Sequence, residues 1–134
     1  MKYLLIALAL YGGLRLLSNH YGVHETHDLL AFTKKHPSPT LSPTIDYYLG
    51  VNYYQRSEYP QAQEAFGQLL QDYPTAQYAA SALVRLEDAA EYNKDWDTAK
   101  TAAAKYLEQF PNGSESQVIQ QRLQVLNFNH KDGP

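Results

Sequence analysis

Three prolines recur at a spacing of 37 residues, Pro37, Pro74 and Pro111, and each follows a ring, in His36-Pro37, Tyr73-Pro74 and Phe110-Pro111. Self-similarity at a fixed spacing of this size marks stacked supersecondary units, none of which buries its apolar face alone. Other columns keep the period: Tyr59 with Trp96, Ala62 with Ala99, Phe66 with Ala103, Leu69 with Tyr106 and Leu70 with Leu107. A chain of 134 residues has room for one domain built this way and not for two.

Within each unit the apolar residues fall at helical spacing. Val23, His27 and Leu30 predict a helix that ends before Pro37, and the prolines of Pro37-Ser38-Pro39-Thr40-Leu41-Ser42-Pro43 predict a semi-rigid connector. Ser42 is expected to cap the next helix, with Pro43 in its first turn and Asp46 serving its positive end. That helix should run to about Arg56. Pro60 then opens a helix carrying Ala62, Ala65, Phe66, Leu69 and Leu70. Thr75 is expected to cap a third helix with Ala79, Ala82, Leu83, Leu86 and Ala90, and a fourth begins at Trp96 after Asn93-Lys94-Asp95. Ser114 and Gln117 have capping-box spacing ahead of a last helix with Val118, Ile119, Leu123 and Leu126. Gln120, Gln121 and Gln124 on that helix predict a solubilising cap. The expected fold is therefore all-α, with divisions at 1–22, 23–42, 43–127 and a flexible tail at 128–134.

The first division stands apart. Lys2 precedes an unbroken apolar run from Tyr3 to Leu14, and no small-x-small cleavage pattern follows it. We read residues 3–21 as a bilayer anchor or uncleaved signal, near the minimum length for a spanning helix, with Arg15 reaching the far headgroups. No cysteine stands anywhere in the sequence, which removes disulfides, thiolate zinc sites, thiol catalysis and lipidation of a cysteine. Residues 38–134 hold seven Lys and Arg against twelve Asp and Glu, which argues against a nucleic-acid partner that needs a basic face.

Leu49-Gly50, Tyr53, Tyr59, Ala62, Phe66 and Pro74 resemble, in order and spacing, the signature of a tetratricopeptide repeat. The second unit keeps Leu86, Trp96, Ala99 and Pro111, but has Glu87 in place of Gly50 and Ala90 in place of Tyr53. The 37-residue period with its Tyr-Pro or Phe-Pro ending is similar to repeats of bacterial envelope proteins, such as the Tol-Pal coordinator and the lipoprotein of the outer-membrane barrel-assembly machine. The resemblance implies stacked helical hairpins with a capping helix. It also implies a concave partner-binding face, formed here by Tyr47, Val51, Tyr54, Gln55, Val84, Asp88, Glu91 and Tyr92. An extended peptide or a partner helix with apolar and basic groups would suit that face. The Lys, Arg and Asn set by which some family members grip a peptide carboxylate is missing from those places.

Other chemistry is sparse. His20, His24 and His27, spaced four and three apart, form the one candidate metal or haem cluster, with Glu25 or Asp28 to complete it. Glu87, Asp88 and Glu91 read as a solvated acidic face. No phosphate loop, nucleophile elbow or HExxH motif occurs, so no enzyme and no cofactor is expected. The expected protein is a scaffold or assembly factor at a bacterial envelope, single-pass in the inner membrane with a periplasmic repeat domain. A permanent accessory subunit of a larger membrane complex is the alternative, and a membrane-surface metal or haem protein the third reading.

Overall fold

The computed structural model describes residues 26–131, with side chains from Leu29 onward. Among the described residues all regular structure is helical: α1 (Thr26–Lys35), α2 (Leu41–Gln55), α3 (Tyr59–Asp72), α4 (Ala79–Tyr92), α5 (Trp96–Gln109) and α6 (Ser116–Asn129). Each helix packs on the next, and short connections make such neighbours antiparallel. The pairs α2–α3 and α4–α5 are the two expected hairpins. In the 37-residue register α1 holds the position of a second helix and α6 that of a first helix. The expected anchor at 3–21 lies outside the described residues, as do His20, His24 and the side chain of His27. Among the described residues no helix is long and apolar enough to cross a membrane.

The turns repeat as faithfully as the helices. Ser57 and Lys94, 37 residues apart, both take positive φ, 60° and 59°. In each case the two following bonds close the helix end: Ser57 N donates to Tyr54 O and Glu58 N to Tyr53 O, and Lys94 N donates to Glu91 O and Asp95 N to Ala90 O. This is the Schellman arrangement, normally built on glycine. Neither turn advertises itself in sequence by a glycine. The connections back to the next hairpin also match, with Ala76 N bonded to Tyr73 O and Gly113 N to Phe110 O.

Three expected caps are corrected. α2 begins at Leu41 after Thr40, which leaves Ser42 and Pro43 buried inside its first turn, where Ser42 Oγ accepts from Ser38 N. α4 starts after Tyr78 and α6 after Glu115, with no side-chain cap from Thr75 or Ser114. The aromatic-Pro turn supplies its own backbone bonds, so a hydroxyl is not needed to satisfy the first N–H groups. Asp95 does cap α5, accepting from Thr98 N at 3.2 Å. The expected tail is also shorter, because α6 continues to Asn129 and the His130 ring stacks on Trp96 at 3.8 Å and 8°.

The core runs through the helix interfaces. Ala62, Ala65, Ala99 and Ala103 are fully buried and let helices approach, while Phe66, Leu69, Leu83 and Ile119 fill the space between them. Gly50 lies against the Phe66 ring so closely that a Cβ there would stand 2.5 Å from ring carbon. Asp46, expected at a helix end, is instead wholly buried between α1, α2 and α3. Thr33 Oγ1 lies 2.7 Å from Asp46 Oδ1 and 2.9 Å from Leu30 O, and Gln68 Nε2 lies 3.3 Å from the same hydroxyl. One hydroxyl proton cannot serve both acceptors. Burial raises the Asp46 pKa against the opposing hydrogen bonds from Thr33 and Gln68, and Asp46 Oδ2 has no hydrogen-bond partner.

Candidate functional site

Tyr47, Val51 and Tyr54 are spaced four and three apart on α2, and Val84, Asp88 and Glu91 occupy the same places one period later on α4. The two helices touch, so these residues form one shared face. Tyr47 stacks on Tyr78, with centroids 4.7 Å apart and planes at 13°, and Tyr48 meets Tyr78 edge-on. Further along α2, Tyr54 meets Tyr59 and Tyr92 edge-on, while Tyr59 and Tyr92 stack at 4.8 Å and 9°. The Arg85 guanidinium lies over the Tyr54 ring at 5.5 Å. Six tyrosines thus form two clusters at the ends of the face. Tyr92 stays 62% exposed and Tyr48 41%. Burial raises the pKa of Tyr48 and of Tyr54, in the latter case reinforced by the nearby Asp88 charge, so their hydroxyls remain protonated donors at neutral pH.

The expected residues divide into two groups. Tyr47, Val51, Tyr54 and Val84 are half-buried against the core and make the floor. Gln55 and Tyr92 are open to solvent. Tyr48, Tyr59, Tyr78 and Arg85 belong to the face as well and were missed. Tyr48 and Arg85 lie off the four-three spacing, whereas Tyr59 and Tyr78 reach the face from outside α2 and α4, a placement sequence spacing does not disclose.

The acidic run is not a solvated face. Glu87 is fully buried, its Oε2 accepting from Arg122 Nη1 at 2.7 Å, and the same nitrogen reaches Asp88 Oδ1 at 2.5 Å. Glu87 Oε1 has no hydrogen-bond partner. Burial, aided by the adjacent Glu91 carboxyl, pushes the Glu87 pKa up to about 8 despite Arg122. Burial pulls Arg122 down, but the two carboxylates outweigh it and raise its pKa. The consistent arrangement puts the proton on Glu87 Oε1 and the ionic partnership of Arg122 with Asp88. This cluster joins α4 to α6.

α6 carries the face one layer further. Gln121, Val125 and Phe128 repeat the positions of Val84, Asp88 and Glu91, and Val125 and Phe128 are 57% and 75% exposed. Gln120, Gln121 and Gln124 are exposed as expected for a cap, yet the apolar Val125 and Phe128 are exposed on the same helix. Adding 37 to Asp88 and Glu91 finds the two apolar positions. A cleft lined by Glu91, Trp96, Val118, Arg122 and Val125 lies where α4 and α6 meet. Among the described residues no group of three His, Asp or Glu is placed to hold a metal.

Antiparallel helix pairs layered at a fixed period, with the first helix of each pair presenting a common face, define a tetratricopeptide-like repeat protein. Residues 40–129 match the YfiO family, described as outer membrane lipoprotein. The match spans well over half of the chain, and the chain belongs to this family. Comparison with curated proteins gave no match. Membership places the protein with envelope proteins. The family description names a lipoprotein, whereas these 134 residues contain no cysteine on which a lipid could be carried.

Proposed function

We propose that the protein is a non-catalytic scaffold or assembly factor at a bacterial envelope, and that the face shared by α2, α4 and α6 holds a segment of a partner protein. The observation that carries this reading is the pair of tyrosine clusters, packed into fixed orientations yet left open at Tyr48 and Tyr92. Rigid rings with polar tips lose little conformational entropy on binding and are common interface anchors. With Asp88 paired to Arg122, Glu91 stands between Tyr54 and Phe128 in the repeat register and suits a partner segment with apolar groups at its ends and a basic group between them. The apolar run from Tyr3 to Leu14 takes the place of a lipid, holding the chain at the inner membrane with the repeats on the periplasmic side. A cysteine introduced in the C-terminal tail, labelled from outside intact inner-membrane vesicles or spheroplasts, reports that orientation.

Affinity purification in mild detergent with mass spectrometry tests the face. Tyr54→Ala and Tyr92→Ala should each lose the same partner at least tenfold while helical content is unchanged. Retention of every partner by both variants moves binding away from this face. Co-purification in a fixed ratio with one complex, insensitive to both substitutions, is the outcome that a permanent accessory subunit predicts.

A further inference from the structure

α1 sits where the second helix of a hairpin belongs, and the 37-residue period gives each of its residues two counterparts. Phe32 corresponds to Leu69 and Tyr106, which are 0% and 2% exposed, yet Phe32 is 55% exposed. Leu30 and Thr33 face α2 and are buried, whereas Ala31, Phe32, Lys34 and Lys35 are exposed, with Lys35 one turn from Phe32 and Lys34 at the far edge of the exposed arc; among the described residues nothing covers Phe32. The His36 ring packs against Phe32 at 4.7 Å, and Leu41, the first residue of α2, is 52% exposed.

We propose that this face of α1 rests on an anionic bilayer surface, with Phe32 entering the boundary between headgroups and acyl chains and Lys34 and Lys35 meeting lipid phosphates. The inference rests on the membrane attachment proposed above for the run from Tyr3 to Leu14. An aromatic ring with one lysine a turn away and a second at the edge of the exposed arc is the chemistry of an interfacial helix, in which the ring is buried shallowly and the ammonium groups reach back to phosphate. Such a small patch binds weakly alone. Here Phe32 follows Leu14, the end of the apolar run, by 18 positions in the same chain, so insertion of that run raises the effective concentration of bilayer at α1. Tyr3 to Leu14 carries no charged residue, a composition that lipid matches better than the one-sided contact that α1 offers.

The cysteine-free chain allows a clean test. Full-length protein with Phe32→Cys, labelled with an environment-sensitive fluorophore, is reconstituted into vesicles of phosphatidylethanolamine and phosphatidylglycerol. A blue-shifted emission, quenched by lipids carrying a spin label high in the acyl chain, is expected. The same label at Phe128→Cys should stay aqueous. The double variant Lys34→Glu, Lys35→Glu, or vesicles of phosphatidylcholine alone, should reduce the lipid-inserted population, by about fivefold for each lysine lost. Quenching by aqueous iodide at position 32 in protein that floats with the vesicles overturns the proposal and leaves the attachment standing. Shielding from both quenchers also overturns it, in favour of cover by residues 1–25 or by another protein. Failure to float overturns the attachment and this inference together.

Discussion

Glu87 and Asp46 are the residues whose surroundings most oppose their chemistry. Each is a carboxyl with no exposure to solvent, one oxygen unsatisfied and a raised pKa. The folded state holds protons that the unfolded chain releases near pH 4 to 4.5, so their contribution is greatest below that range. It is lost as pH rises toward the folded pKa, which for Glu87 is about 8. Asp95, whose pKa is lowered chiefly by its bond with Thr98, acts in the opposite sense and only at acid pH. Urea unfolding should therefore show stability falling between pH 5 and pH 8, by an amount on the order of a few kcal/mol. Glu87→Gln should flatten that slope while keeping the bond to Arg122; an unchanged slope would assign the proton elsewhere. Asp46 corresponds to Leu83 in the next repeat. Asp46→Leu should be neutral or stabilising by about 1 kcal/mol at pH 7.5, since an apolar group of similar size replaces a buried acid and Thr33 still bonds Leu30 O.

At the scale of elements, the two hairpins solve one packing problem with different pairs of side chains. Phe66 faces Gly50 in the first, while the corresponding residues in the second are Ala103 and Glu87. Leu69 and Ala76 become Tyr106 and Gly113, and a Cβ on Gly113 would stand 2.3 Å from the Tyr106 hydroxyl. At both places a larger residue on one side goes with a smaller one on the other. Gly50→Ala should destabilise by about 1–3 kcal/mol in spite of its better helix propensity, because the Phe66 ring is buried with nowhere to turn. Adding Phe66→Leu should recover part of the loss, a coupling that a double-mutant cycle measures. Helix ends differ in kind. Lys94→Gly removes the strain of a positive φ and should raise the melting temperature, equivalent to about 1 kcal/mol.

For the whole molecule, stability is expected to follow nearest-neighbour contacts, as it does in stacked repeats. α3 and α4 are covered on both sides, whereas α1 and α6 terminate the described stack. Native-state hydrogen exchange should accordingly be slowest in α3 and α4 and faster in α1 and α6. Ending the chain after Glu115 removes Ile119 and Leu126, both buried, and takes Arg122 from Glu87. The loss should lower the melting temperature by more than about 10 °C, and a smaller change would mean that α6 is only loosely docked.

Period, helix content and the face of α2 and α4 were all legible in the amino-acid order, because helical spacing and a repeated aromatic-proline turn are local properties of the chain. Tyr47, Val51, Tyr54, Val84 and Asp88 could be assigned to one side by counting alone. Four matters required the folded chain: the burial of Asp46 and Glu87, the partnership of Arg122, the joining of Tyr59 and Tyr78 to the face, and the exposure of Phe32. Each depends on what a neighbouring layer places opposite a residue, and spacing along one helix does not carry that information. Glu87 carries a charge-bearing group on the same stripe as buried Leu83 and Ala90, and the order of residues on its own helix does not reveal that Arg122 of α6 meets its carboxyl.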